Sequence, residues 1–364
     1  MRVAVVGCGY VFDDYLRTWA SHPGLELAGV TDRDPAQVAR VARHYGVPTY
    51  STTQELLADD SVDVVLNLTS IPSHYEVTRA ALEAGKHVYS EKPLVTDLEQ
   101  ARELVDLAES RGLLLACAPS NALSATSQTI WKVVADGLVG DVRLVYAELD
   151  DNPIYLMSPE DWRSESGAPW PYLREYEAGC TWEHVSYHLA WMCAIFGPVR
   201  SVTAFSKATL PDKTDQPLSP PDTPDFSVAC LDFASGVVGR VTCSIGAPYD
   251  HRMRVIGNRG WVCSTVKRNS SRLSRRLVRT TGTPPTRRRG RSTGWIPIST
   301  APTPRVAVRP PTIPSSACVT WKGCCAPGSV QALIPGRMRG YGSTEEVQRG
   351  VAGAGHADGV GGDR

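Results

Sequence analysis

A chain of 364 residues is long enough for two ordinary domains, each with its own core. Its 38 basic and 38 acidic side chains cancel, but unevenly: residues 265–364 carry 15 Arg and 2 Lys against 2 Glu and 2 Asp, a net of +13, which leaves −13 on residues 1–264. No stretch reaches the ~18 apolar residues of a membrane span, and ten cysteines without CxxC or Cys/His metal spacing speak against a disulfide framework and for a reducing cytoplasm.

The opening "MRVAVVGCGY" has too short an apolar core, broken by glycines, for a signal peptide and reads as a first strand. Further strands are expected at 25–31, 62–68, 87–90 and 113–118, with a weaker one at 48–50. Between them Val38, Val41, Ala42 and Tyr45 repeat at helical spacing and Gly46 follows as a stop. The boxes "TTQE", "SHYE" and "TDLE" place Ser or Thr three residues before Glu, a helix-start signal, and Gly85 and Gly112 close two helices. This alternation predicts an α/β fold with a doubly wound parallel sheet of Rossmann type over residues 1–119. Cys8, Cys117, Cys230 and Cys243 sit in apolar runs and are expected as small buried hydrophobes.

The turn "VVGCGYVF" joins the first strand to a helix. Gly7 permits the tight turn, and Gly9, followed by Tyr10 and Val11, lets backbone amides approach a pyrophosphate. Phe12 stands where a third glycine of GxGxxG would be, so the motif alone is weak, and a plain strand–helix turn is the competing reading. Asp32 ends the second strand, 25 residues beyond Gly7, where a carboxylate accepts from ribose hydroxyls and repels a 2′-phosphate. That favours NAD over NADP, although the neighbouring Arg33 could still grip a phosphate.

The fourth strand runs into Glu91, Lys92 and Pro93. Ligands of open parallel sheets sit outside the carboxyl ends of the strands, and Pro93 restrains the backbone of Lys92 and so the direction of its side chain. A lysine held near a nicotinamide can hydrogen-bond a substrate oxygen, and partial desolvation is expected to lower its pKa toward the working range.

The chain here resembles the Gfo/Idh/MocA oxidoreductases, named for glucose–fructose oxidoreductase and inositol dehydrogenase. The likeness runs from "VAVVGCG" through Asp32 and "TSIPSHYEVTRAALEAGKHVYSEKPL" to about Trp261, and "EAGKHVYSEKPL" is its most specific part. The resemblance implies that Lys92 is catalytic and contacts the nicotinamide end. It also implies that Pro72 and His74 lie along the cofactor, with Thr69 and Glu91 as candidates beside them. The plainer alternative for His74 is a surface residue at a helix start.

After Pro119 the pattern predicts a helix at 124–137 and a strand at "VRLVYAELD". The long aromatic loop that follows offers Trp162, Trp170 and Tyr172 either as a wall for a sugar ring or as staples to the core. "CTWEHVSYHLAWMCAIFGPV" reads as one helix on which Glu183 and Tyr187 share a face and His184 and His188 form the next stripe. Relatives in the resembled family carry Asp-x-x-x-His here, which aligns Glu183 with the substrate-positioning acid and Tyr187 with the proton donor. His188, one residue on, is the competing donor. A tyrosine in that role needs Lys92 or the cofactor charge to lower a pKa near ~10. The i, i+4 histidines also invite a zinc reading, but no third ligand is evident, so no metal is expected.

"VRSVTAFSKA", "DFSVACLDFA", "GVVGRVTCSIG" and "HRMRVIGNRGW" read as successive strands, with Gly236 at a turn. They suit the open, mainly antiparallel sheet that the resemblance implies for an α+β substrate and oligomerisation domain over 120–264. Past Cys263 the period collapses. Residues 265–364 read either as an irregular basic tail that neutralises nucleic-acid phosphates through "RRLVR" and "RRRGR" or, preferably, as the product of out-of-frame translation. The expectation is an NAD(P)-dependent, cytoplasmic dehydrogenase of a sugar or polyol, homo-oligomeric as the resemblance implies. An inactive nucleotide-binding relative and a nucleic-acid-associated protein are the alternatives.

Overall fold

The computed structural model describes residues 1–264 and the backbone of residues 276–279. Strands β1 (Arg2–Val6), β2 (Glu26–Thr31), β3 (Val64–Asn67), β4 (His87–Ser90) and β5 (Leu115–Cys117) form a parallel sheet in the order β2-β1-β3-β4-β5. Its connections are α1 (Phe12–Trp19), α2 (Pro35–Tyr45), α3 (Thr53–Ala58), α4 (His74–Glu83) and α5 (Leu98–Ser110). Both faces of the central strand are covered: Val3 and Val5 pack with Phe12, Val30 and Val41, and Ala4 and Val6 with Leu56, Val65 and Leu82. An unbroken apolar run is what such a strand requires.

The weak strand expected at 48–50 is a single parallel bridge between Val30 and Thr49. Pro48 has no amide to donate, so the ladder does not extend through it. Of the three capping boxes, Thr52 caps α3 through the Glu55 amide as expected, whereas α5 is capped by Asp97 and α4 has no side-chain cap. A 3-10 turn, Ile71–Ser73, feeds directly into α4 and leaves Ser73 already in helical angles.

The second sheet holds β6 (Val142–Asp150), β7 (Val199–Lys207), β8 (Phe226–Phe233), β9 (Val238–Ser244), β10 (Met253–Gly257), β11 (Gly260–Cys263) and β12 (Arg276–Arg279), in the order β12-β11-β10-β6-β9-β8-β7. Only β6 and β9 run parallel; the other pairs are antiparallel. "HRMRVIGNRGW" is therefore a hairpin rather than one strand, and its turn is held by Asn258, whose side-chain oxygen accepts the Asp141 amide. β12 falls within the stretch expected to be irregular; it adds to the open edge of β11, and the rest of 265–364 lies outside the described residues.

Helices α6 (Ala125–Ala135), α7 (Tyr172–Ala178), α8 (Cys180–His184) and α9 (Ser186–Phe196) complete this half. The single helix expected around Glu183 is thus two, α8 and α9, joined by Val185, which keeps helical angles. α9 drives Trp191, Met192 and Phe196 into a core with Val145, Ala147, Phe233, Val241 and Val255. Cys8, Cys117 and Cys243 are buried as expected, but Cys230 is exposed on β8. The loop before α7 reaches back to the first half, where the Ser166 amide and hydroxyl both donate to Asp13 Oδ2 at 3.0 and 2.9 Å.

Candidate active site

The turn after β1 has the shape that a dinucleotide needs. Gly7 has φ +104°, and a Cβ there would stand 2.5 Å from the carbonyl carbon and oxygen of Leu68, so only glycine fits. A Cβ on Gly9 would meet nothing within 4 Å, which leaves open space where a phosphate would approach. Val11 precedes α1 without a side-chain cap, so no side chain competes for the first amides of that helix. Phe12, in place of the third glycine, is fully buried and packs against Tyr45 with ring centroids 6.0 Å apart.

Asp32 sits beside this turn, its Oδ2 accepting the Cys8 amide at 2.7 Å and its Oδ1 the Asp34 amide at 2.9 Å. Arg33 and Pro72 are exposed, and Tyr10 is half-buried. Thr69 donates to Asn67 Oδ1 through its hydroxyl at 2.7 Å. His74 is not the surface residue of the plainer alternative: it is 1% exposed, with Nδ1 2.6 Å from the Pro93 carbonyl and Nε2 2.9 Å from the Thr69 carbonyl. Its ring ties the loop after β3 to the turn after β4, and both nitrogens are engaged.

At the carboxyl end of β4, Glu91 accepts the Lys92 amide at 2.9 Å and the Tyr15 hydroxyl at 2.7 Å, which fixes the turn from two sides. The Lys92–Pro93 bond is cis. Lys92 Nζ pairs with Glu183 Oε2 and stands 5.7 Å from the centroid of the Tyr187 ring. The β4 turn and the α8–α9 junction, 91 residues apart in sequence, thus meet at one ammonium group.

A fourth member was not anticipated. Glu175 of α7 lies close enough to Glu183 and Lys92 to be repelled by the one and attracted by the other; burial first, then Glu183, raise its pKa well above the carboxylate range. Within a long loop of mixed charge no sequence signal sets Glu175 apart from Glu160, Glu165 or Glu177.

The electrostatics reverse an expectation. Burial alone would release the Lys92 proton, but Glu175, Glu183 and Tyr187 outweigh it and the ammonium is held more firmly than in water. Tyr187 is also not acidified. Burial pushes it up to about 12, with Glu91, Glu175 and Glu183 adding to the rise and Lys92 opposing it. Both groups therefore stand in their protonated forms at neutral pH. His188 is 2% exposed and spent: Nε2 donates to the Glu148 carbonyl at 2.7 Å, and Nδ1 accepts from Trp191 Nε1 at 2.9 Å. Burial lowers its pKa to about 4.

Tyr187 also faces a cavity of about 460 Å3, bounded among others by Asn121, Ser124, Asp151, His184 and His251. That size falls within the range of small-molecule sites. Trp162, Trp170 and Tyr172 take no part in its described lining. They pack on the cluster of Leu149, Ile154 and Tyr176, with the two indole rings 4.7 Å apart, and so act as staples. Among the described residues, no helix is long and apolar enough to cross a membrane and no group of three His, Cys, Asp or Glu is placed to hold a metal ion.

Comparison with known proteins places the fold in a family. Residues 1–118 match the oxidoreductase family with an NAD-binding Rossmann fold, and residues 127–263 match the GFO/IDH/MocA C-terminal domain. A trans-1,2-dihydrobenzene-1,2-diol dehydrogenase of Bos taurus is 27% identical over 265 residues, covering 71% of this chain and 72% of the relative. Among solved structures, the WlbA dehydrogenase of Bordetella pertussis in complex with NADH and UDP-GlcNAcA superimposes with a TM-score of 0.59 at 22% identity, over 72% of this chain and 73% of that one. An oxidoreductase of Agrobacterium radiobacter in complex with NAD+, L-tartaric acid and magnesium does so with a TM-score of 0.61 at 19% identity, over 76% and 75%. At these identities the structural likeness speaks for the fold.

Proposed function

The chain belongs to the Gfo/Idh/MocA family of NAD-binding oxidoreductases, and from that premise we propose that it interconverts an alcohol and a ketone on a sugar, cyclitol or sugar-derived ring, with NAD preferred over NADP. The observation that carries the reading is the meeting of Lys92, Glu183 and Tyr187 at the carboxyl end of β4. When bound, the nicotinamide supplies the carbon that takes or gives the hydride. Everything else falls to the chain's own side chains.

Lys92, fixed as a cation by its pairing with Glu183, donates a hydrogen bond to the reacting oxygen and stabilises negative charge there. Tyr187 gives its phenolic proton to that oxygen in reduction and takes it back in oxidation. Glu183 holds Lys92 in place and presents a carboxylate to the substrate. Gly7, Gly9, Tyr10 and Val11 would receive the pyrophosphate, and Asp32 the ribose hydroxyls. Thr69, Pro72 and Glu91 would border the cofactor, and His74, with both nitrogens engaged, would position the Lys92–Pro93 turn. Asp32, held against the glycine turn by the Cys8 amide and fixed in its own loop by the Asp34 amide, disfavours a 2′-phosphate.

The test is turnover of a panel of cyclic polyols and aldoses with NAD+ and with NADP+, read as reduced nicotinamide. Reduction of NAD+ by at least one of them, lost in Lys92→Ala, is expected. Turnover untouched by Lys92→Ala would overturn the assignment.

A further inference from the structure

Two adjacent residues of α8 reach two stations. Glu183 meets Lys92, while His184, the next residue, meets Asp151 just beyond the end of β6. The hydride-transfer chemistry does not use this second station, yet Asp151, His184 and His251 all line the cavity that Tyr187 faces.

Its geometry is that of a carboxylate held ready. His251 Nε2 donates to Asp151 Oδ1 at 2.6 Å. His184 Nδ1 lies 3.1 Å from Oδ2 but out of line for a hydrogen bond, and it has no other partner among the described residues. Asp151 Oδ2 therefore lacks an aligned donor among the described residues, in a cavity wall of mixed polar and apolar character. Burial pushes the Asp151 carboxyl up, but the His251 bond and the nearby His184, His251 and Lys92 outweigh it, so the group is ionised at neutral pH.

The charge around the station is one-sided. No lysine or arginine is among the described residues lining the cavity. Lys92 is engaged by Glu183, Arg240 by Glu148 and Arg252 by Asp250. Asp150 feels the surplus: burial, then Glu148, Asp250 and Asp151, push it up to about 6. A ligand hydroxyl brought to Asp151 completes a charge-assisted hydrogen bond, whereas a ligand carboxylate there meets repulsion that no lysine or arginine among the described lining residues offsets.

We propose that Asp151, backed by His184 and His251, is a second anchoring station that takes a hydroxyl remote from the reacting carbon and makes this site select neutral polyhydroxylated rings over their carboxylated counterparts. This specificity rests on the hydride-transfer reading of the same cavity. Asp151 contacts no reacting atom; it sets which ring is held and how.

The experiment uses the full chain saturated with NADH, titrated calorimetrically with myo-inositol, D-glucose, D-glucuronate and D-galacturonate, alongside NAD+-dependent turnover of the same four. The wild type is expected to bind and turn over at least one neutral ring, with kcat/KM at least tenfold above that for either uronate. Asp151→Asn, which keeps the shape and removes the charge, should raise KM for the neutral ring roughly ten- to a hundredfold with little change in kcat, and should narrow the preference against uronates. Unchanged NADH affinity in the variant shows that it has folded. The station is overturned if uronates bind as well as neutral rings, if none of the four binds, or if Asp151→Asn leaves KM and the preference unmoved. Selective binding of a neutral ring, lost in Asp151→Asn but with no turnover of any ring, would instead sink the hydride-transfer reading and leave the anchoring intact.

Discussion

Tyr187 and His188 are neighbours in the chain with opposite environments, and pH separates them. Oxidation needs the proton-accepting form of the acid/base group, so kcat/KM rises with pH until that group is deprotonated in the free enzyme. With Tyr187 at about 12, the oxidation limb should still be climbing at pH 10. With His188 at about 4 as the base, it would be flat from pH 6 upward, and such a plateau would remove Tyr187 from its role. His188 carries a stability prediction instead. Its folded pKa lies below the ordinary 6.5, so the unfolded chain binds the proton more readily. Its contribution is complete above about pH 6.5 and is lost as pH falls toward 4, by roughly 3 kcal/mol in all. A wild-type Tm that drops through this window, with a smaller drop in His188→Gln, is the expected result of melting at stepped pH. Lys92 stood out in the sequence through its position at the carboxyl end of a parallel strand and through the family resemblance of "EAGKHVYSEKPL", since charged residues after a strand are otherwise ordinary loop. Glu175 and Asp151 did not, since a single acid in a loop or after a strand looks like ordinary solvated surface until the fold brings it to a cavity.

At the scale of elements, the parallel sheet was readable almost strand by strand, because buried strands need continuous apolar runs and helices announce their stops. Where the reading failed, local hydrogen bonding decided. Pro48 cut a strand to a bridge, a 3-10 turn replaced the cap of α4, and Val185 divided one helix into α8 and α9. That division still leaves Glu183 and Tyr187 close to the same ammonium, so the i, i+4 argument gave the right pairing. α9 holds the arrangement by burying Trp191 completely between Met192, Phe196 and the second sheet. Trp191→Ala should cost about 3–5 kcal/mol by opening a cavity and should also strand the Nδ1 of His188. Denaturant unfolding checks this; a loss under 1 kcal/mol would mean that the α9 core is not the support described.

Across the whole molecule, the charge asymmetry divides a body of known family from residues 265–364, of which only the backbone of β12 is described. The two halves meet at Lys92 with Glu183 and at Ser166 with Asp13, so a lysine of the first half is paired with an acid of the second. Cofactor choice belongs to the first half alone. Asp32 predicts saturable binding of NADH at least tenfold tighter than NADPH, measured by nicotinamide fluorescence, and Asp32→Ala should close most of that gap. Equal affinities in the wild type would mean that Asp32 sets no preference, and tighter NADPH binding would assign the selection to Arg33 instead.

The most direct test of the central claim compares Lys92→Ala and Tyr187→Phe with the wild type on one substrate, measuring kcat and the NADH dissociation constant in parallel. The account predicts that kcat falls about a hundredfold or more in each variant while NADH binds as before. Turnover preserved in both, with NADH still bound, would contradict it.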